Sequence, residues 1–185
     1  INAMIYIRGN RWDYDHWSEL GCSGWSFQEV LPYFIKSENQ ERGESALHGM
    51  GGLLNVCDVA KVHPLYSAMI EAAVEIGYPR NPDFNGERQE GVGTYQFTIR
   101  DGKRQSTATA FLRPAMGRSN LTVSTSALTN RLLFDGTKAI GVSFVQDGEQ
   151  RKAMARREVI VCGGASNSPQ RLLRSGLGPA IGPKS

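Results

Sequence analysis

The chain has 185 residues, enough for a domain with a genuine core, and its 40% hydrophobic and 21% charged residues are ordinary for a soluble globular protein. A net charge of +3, with 21 basic and 18 acidic residues mixed along the chain, argues against a nucleic-acid partner, and no apolar run approaches the roughly 20 residues that a membrane span needs. Cys22, Cys57 and Cys162 are odd in number, far apart and in no CxxC pair, which argues against a disulfide framework or a zinc site and makes the reducing cytoplasm the default location.

In chain order, Ala3 to Ile7 is an apolar stretch running into the turn signal Arg8-Gly9-Asn10. Asp13 to Leu20 reads as a short helix stopped by Gly21. Ser26 with Glu29 forms a capping box for a second helix whose apolar side chains are Phe27, Val30, Leu31 and Phe34, with Pro32 expected to distort it early. Residues 40–56 are glycine-rich and end in a strand, Leu53 to Val56. An amphipathic helix follows from about Pro64 to Ile76, with Leu65, Met69, Ala72, Ala73 and Ile76 on one face and Gly77 as its cap. Residues 79–93 are dense in turn residues and predict a long irregular loop. Thr94 to Arg100 alternates as a strand does, with Asp101-Gly102 as a hairpin turn. Ser106-Thr107 would cap a short helix ended by Pro114.

The last third reads as mostly strand. Leu121 to Val123 is one, Arg131 to Phe134 and Ala139 to Val145 flank an Asp135-Gly136 turn, and Glu158 to Cys162 has the continuous β-branched look of a buried strand. Gly163-Gly164-Ala165 and a helix over Ser168 to Arg174 follow. A buried strand, a glycine turn and a helix are half of a doubly wound unit, so the fold class is α/β in a mixed α+β arrangement.

Taken alone, Gly163-Gly164 is most simply a tight connection, although glycines there let a ligand approach the backbone and the next helix offers free N–H groups to anions. The three histidines, His16, His48 and His63, form no metal-like or triad-like pattern in sequence and read as structural or surface residues; no metal ligands are assigned. Trp12, Trp17 and Trp25 could cage a cationic substrate, but core packing is the simpler account.

Two motifs carry a resemblance. The run from Val159 to Pro179 contains Gly164, Ala165, Ser168, Pro169 and Ser175-Gly176-Leu177-Gly178, and resembles the second signature of the glucose–methanol–choline (GMC) oxidoreductases, with Arg171 departing from the usual aliphatic residue. At the N-terminus, Asn2, Tyr6, Arg8 and Gly9 resemble the tail of the first signature. Between them "DYDHW", "GWSFQEVLPYF", "HGMGG" at 48–52, "DFNG" at 83–86, "GKRQSTATAFLRPA" and "RSNLTV" appear in family order, in a pattern similar to the choline-dehydrogenase-like members.

The resemblance implies part of an FAD-binding doubly wound domain plus part of a sheet-based substrate domain. Residues 1–35 would supply the flavin-contacting loop and helices, 36–115 a substrate-domain portion, and 116–185 strands and a closing helix of the FAD domain. Asn2, Ala3 and Met4 would lie against the isoalloxazine, Thr129 at the end of the Ser126 turn near the adenine, and Gly163, Gly164 and Ala165 along the ADP portion. Ile1 stands where some relatives carry the histidine that bonds FAD covalently, so non-covalent FAD is expected. The implied partner is a small-molecule alcohol, and a homo-oligomer is left open.

The family's G-x-G-x-x-G turn and its catalytic histidine have no match here: "GMGGLL" at 49–54 has the wrong spacing and precedes a strand. The expectation is therefore an internal fragment of an FAD-dependent alcohol dehydrogenase or oxidase, inactive by itself and with no catalytic residue of its own. Two alternatives stay open: a non-catalytic remnant or binding module, and an FAD-containing lyase of the same fold.

Overall fold

The structure is a computed structural model and describes residues 3–178. The chain divides into two compact units, Ile1–Leu121 and Thr122–Ser185.

In the first unit β1 (Ile5–Tyr6) leads into α1 (Arg11–Glu19) and α2 (Phe27–Ser37). α1 starts two residues before the sequence expectation because Asn10 and Asp13 form a reciprocal capping box: Trp12 N–H donates to the Asn10 side chain at 3.0 Å and Asn10 N–H to Asp13 at 3.0 Å. The Ser26–Glu29 pair opens α2 as expected, and the helix runs through Pro32 unbroken to Ser37. Tyr14, Phe27 and Leu31 bury the seam between the two helices, with Val30, Phe34, Ile35 and Leu47 packed around them.

β2 (Glu38–Gln40) pairs in parallel with β3 (Leu54–Val56), and the 48–52 glycine turn folds back between them. That return is tight. A Cβ at Gly49 would fall on the carbonyl of Ile35, and one at Gly52 on the backbone at Ser37 and Glu38.

α3 (Pro64–Glu75) forms where the apolar period predicts it, with Gly77 at φ 101° closing it. Its expected apolar face is largely open: Leu65 is 63%, Met69 59% and Ile76 77% exposed. β4 (Gln96–Phe97) lies between β1 and Cys57, just past β3. β5 (Ile99–Arg100) and β6 (Lys103–Arg104) form the hairpin around Asp101-Gly102, both in the left-handed region at φ 52° and 67°. After it the helix does not stop at Pro114. A π-helical turn, Ala108–Leu112, passes directly into the short α4 (Arg113–Ala115), where Pro114 sits in the first turn and needs no N–H partner.

The second unit is an antiparallel meander, β7 (Leu128–Asp135), β8 (Lys138–Gln146) and β9 (Glu149–Met154), with α5 (Gly164–Arg174) packed on β7. The Asp135-Gly136 hairpin is as expected, whereas β9, exposed throughout and polar over its first four residues, carries no alternation that sequence reading could detect. Two expected strands do not form. Residues 121–123 and 158–162 are irregular, and Ile160 is 77% exposed. A β-branched run becomes a buried strand only when neighbouring strands satisfy its backbone, and no described strand pairs with either segment.

Candidate functional site

Residues expected to touch a cofactor occur in both units. Asn2 lies outside the described residues. Ala3 is exposed, and half-buried Met4 has φ 62°, a left-handed conformation that costs a non-glycine residue about 1–2 kcal/mol. It is held there: the Met4 carbonyl accepts from Thr98 N–H at 2.9 Å, and β1, starting at the next residue, pairs with β4. Strain maintained by surrounding bonds is a feature of ligand-contacting backbone. Ile5 also lines an apolar cleft of about 710 Å³ with His63, Tyr66, Met69, Tyr95 and Phe97 among its walls.

In the second unit Gly163, Gly164 and Ala165 are contiguous and exposed at the start of α5. Gly164 has φ 84°, and the space its Cβ would occupy is open. The first turn of α5 has no side-chain cap and no acidic residue, so its exposed N–H groups present partial positive charge. Ser168 Oγ accepts from Gly163 N–H at 2.9 Å and shapes the turn. Half-buried Thr129 lies on β7 opposite Phe144, beside a bulge between Thr129 and Arg131. The far end of α5 is tied to the same strand, since Leu132 N–H donates to Ser175 Oγ at 2.8 Å. An open glycine turn leading into an uncapped helix fits a dinucleotide whose phosphates approach the backbone.

The most elaborate constellation is one that sequence reading passed over. Arg8, Glu38, Gln40, His48, Asn55, Asn85, Gln96 and Gln105 are all buried in the first unit. Arg8 Nη2 donates to Glu38 Oε2 at 2.6 Å and its Nη1 to the Leu47 carbonyl at 2.7 Å. His48 lies between two carboxylates, Nδ1 at 2.9 Å from Glu38 Oε1 and Nε2 at 2.9 Å from Asp83 Oδ2. Both partners only accept, so both ring nitrogens carry protons and the side chain is an imidazolium. Its pKa is accordingly pushed up to about 9, by the Asp83 and then the Glu38 hydrogen bond against the opposing effect of burial. The same contact holds the Asp83 carboxyl below its ordinary value. Asp83 also accepts from Asn85 N–H at 2.9 Å, and Asn85 accepts from Arg8 N–H at 2.7 Å while donating to the Tyr6 carbonyl at 3.0 Å. Gln40 and Gln96 exchange reciprocal amide bonds at 2.9 Å beside this group.

None of the histidines is placed as a base. His48 has no free lone pair; His63 Nδ1 accepts from Leu65 N–H at 3.2 Å as the cap of α3; half-buried His16 stacks on Trp12. The tryptophans form neither the expected core nor a cage. Trp17 meets Trp25 edge to face, Trp12 pairs with His16, and all three are 44–64% exposed, because Tyr14 takes the inward position on α1.

The GMC oxidoreductase family pattern matches residues 1–183 of the chain. Human mitochondrial choline dehydrogenase is 46% identical over 180 residues, covering 97% of this chain and 30% of the relative. An oxygen-dependent choline dehydrogenase of Stenotrophomonas maltophilia is 48% identical over 183 residues, covering 97% and 33%. Among solved structures, pyridoxine 4-oxidase from Mesorbium loti superposes with a TM-score of 0.84 at 36% identity, over 96% of this chain and 35% of that one. An FAD-dependent oxidoreductase from Chaetomium thermophilum gives 0.83 at 30% identity, over 97% and 34%. The chain thus spans about a third of the length of the curated relatives it matches. With its mixed α/β fold and both signature segments inside the match, the chain belongs to the GMC oxidoreductase family.

Proposed function

We propose that the whole protein is an FAD-dependent oxidoreductase that oxidises a primary alcohol, with choline as the first substrate to test. The observation that carries this reading is the likeness of nearly the entire chain to choline dehydrogenases, at 46% and 48% identity. The flavin, when bound, supplies the hydride acceptor. Asn2, Ala3 and Met4 line the isoalloxazine, Thr129 the adenine end, and Gly163, Gly164 and Ala165 the ADP portion. Residues 1–35 and 116–185 serve the cofactor and residues 36–115 the substrate side. The left-handed Met4 and the open turn at Gly164 support the two ends of this assignment.

This chain's residues bind and orient, whereas the base that takes the hydroxyl proton comes from elsewhere in the whole protein, since His48 is doubly engaged. FAD is held non-covalently at Ile1, and the protein is cytoplasmic. Among the described residues no helix is long and apolar enough to cross a membrane.

The test uses the full-length protein kept anaerobic. Choline or another primary alcohol should bleach the visible flavin band, and acid denaturation should release free FAD. A purified protein that carries no flavin sinks the reading; a bound flavin that no alcohol bleaches turns it toward the lyase alternative.

A further inference from the structure

The buried polar group in the first unit closes into a ring. From Arg8 Nη2 it passes to Glu38 Oε2 at 2.6 Å and from Glu38 Oε1 to His48 Nδ1 at 2.9 Å. It continues from His48 Nε2 to Asp83 Oδ2 at 2.9 Å, and from Asp83 Oδ1 to Asn85 N–H at 2.9 Å. Asn85 Oδ1 then accepts from the backbone N–H of Arg8 at 2.7 Å, completing the circuit. Asn85 Nδ2 also donates to the Tyr6 carbonyl at 3.0 Å, and Gln89 Nε2 to the Arg8 carbonyl at 2.9 Å. The backbone from Tyr6 to Arg8 is thus gripped by residues 77 to 81 positions away in sequence.

We infer that His48 is a positioning residue: through Glu38 and Asp83 it locks the ring that sets the course of residues 3–8, and so places the segment assigned above to the flavin. The part of this inference concerning flavin rests on the functional reading just proposed; the part concerning the segment does not.

Three features single out His48. It links the Glu38 and Asp83 carboxylates directly, the opposite path of the ring running through Arg8 and Asn85. Its two donors point in opposite directions at two acceptors, a demand that imidazolium meets and a single amide or a lysine does not. The ring holds two cations, Arg8 and His48, against two anions, Glu38 and Asp83, so removal of His48 leaves an excess negative charge, with Glu38 still paired to Arg8 and half-buried Asp83 without its ring partner. Arg42, paired with Asp58, is a further cation acting on Asp83. The Asp83 end, once released, frees Asn85, and with it the bonds to Tyr6 and Arg8. Their loss also removes support for the left-handed Met4, whose carbonyl is tied to Thr98.

The experiment compares full-length wild type, His48→Gln and the charge-balanced double variant His48→Gln/Asp83→Asn by amide hydrogen exchange and by FAD binding to the apoprotein. In H48Q, exchange over residues 3–8 and 83–85 should rise at least about tenfold, while the β7–β8 hairpin, residues 128–146, stays unchanged. FAD should bind at least about tenfold more weakly and with altered visible circular dichroism. The double variant lacks the unpaired carboxylate and keeps the acceptor for Asn85, so it should recover most of the protection. H48Q with wild-type exchange over 3–8 overturns the inference, and so does a double variant no better protected than the single one. Should H48Q not fold, recovery in the double variant is the deciding result. A wild-type protein that binds no FAD overturns the cofactor reading, while the exchange data still decide the role of His48.

Discussion

Arg8 Nη2 sits 2.6 Å from Glu38 Oε2 with the two side chains only 3% and 0% exposed, joining the end of the first strand segment to the start of β2. Taking two charges out of water is offset only when the geometry is good and the remaining atoms find partners. Glu38 satisfies this through His48 and Gln40, whereas Arg8 does so in part, through the Leu47 carbonyl and the faces of Tyr6 and Phe34, with its Nε buried and without a hydrogen-bond partner. Breaking the pair from one side leaves a buried charge. Arg8→Met should therefore destabilise by about 3–5 kcal/mol, and Arg8→Met/Glu38→Gln by clearly less than the sum of the two single changes. Urea unfolding of the four proteins measures this; strict additivity would contradict it.

The His48–Asp83 contact makes stability depend on alkaline pH. The folded pKa of His48, about 9, lies above its unfolded value, so its contribution is complete below about pH 6.5 and is lost as pH rises through 9. Asp83 is shifted down by the same bond, so at the acid end the interaction persists until pH falls through its depressed pKa. It is one interaction seen from two sides and counts once. Denaturation midpoints between pH 6 and 10 should decline at the upper end in wild type and stay flatter in H48Q; parallel curves would refute the assignment.

Two glycines separate steric from conformational need. Gly49 sits against the Ile35 carbonyl, so Gly49→Ala forces the 48–52 turn away from α2 and should cost at least about 2–3 kcal/mol. Gly102 has open space but φ 67°, so Gly102→Ala carries only left-handed strain, about 1–2 kcal/mol. Thermal unfolding ranks them, and the reverse order would be inconsistent with both geometries.

In the second unit Ser175 Oγ accepts from Leu132 N–H at 2.8 Å and donates to the Arg171 carbonyl at 2.6 Å, beside the buried Leu132. Ser175→Ala leaves the strand N–H without this partner and should cost about 1–3 kcal/mol. Amide exchange at Leu132 should rise in the variant; an unchanged rate would mean that the bond contributes little.

Much of this protein is written locally. The Ser26–Glu29 capping box, the apolar period of α3 with Gly77 behind it, and the turns at Asp101-Gly102 and Asp135-Gly136 all act within a few residues, and the structure forms each of them. The two signature segments are equally local, which is why family membership was legible from the motifs at residues 2–9 and 164–178 and the shorter motifs in order between them. Exposed strand β9 lacked such a signal, and the β-branched run at 158–162 carried a misleading one, because strand formation depends on partners rather than on the strand's own residues.

His48 marks the other side of the division. In sequence it is a histidine in a glycine turn, ten residues from Glu38 and 35 from Asp83. Nothing in that spacing distinguishes it from a surface residue. Its charge, its two donors and its hold on the Arg8 segment come into being only when β2, the 48–52 turn and the loop after α3 meet in a buried space. Helices, turns and family motifs are short-range properties that a chain carries in its order of residues; a buried charge network is a property of the low-dielectric place where distant residues converge, and tertiary structure alone decided it.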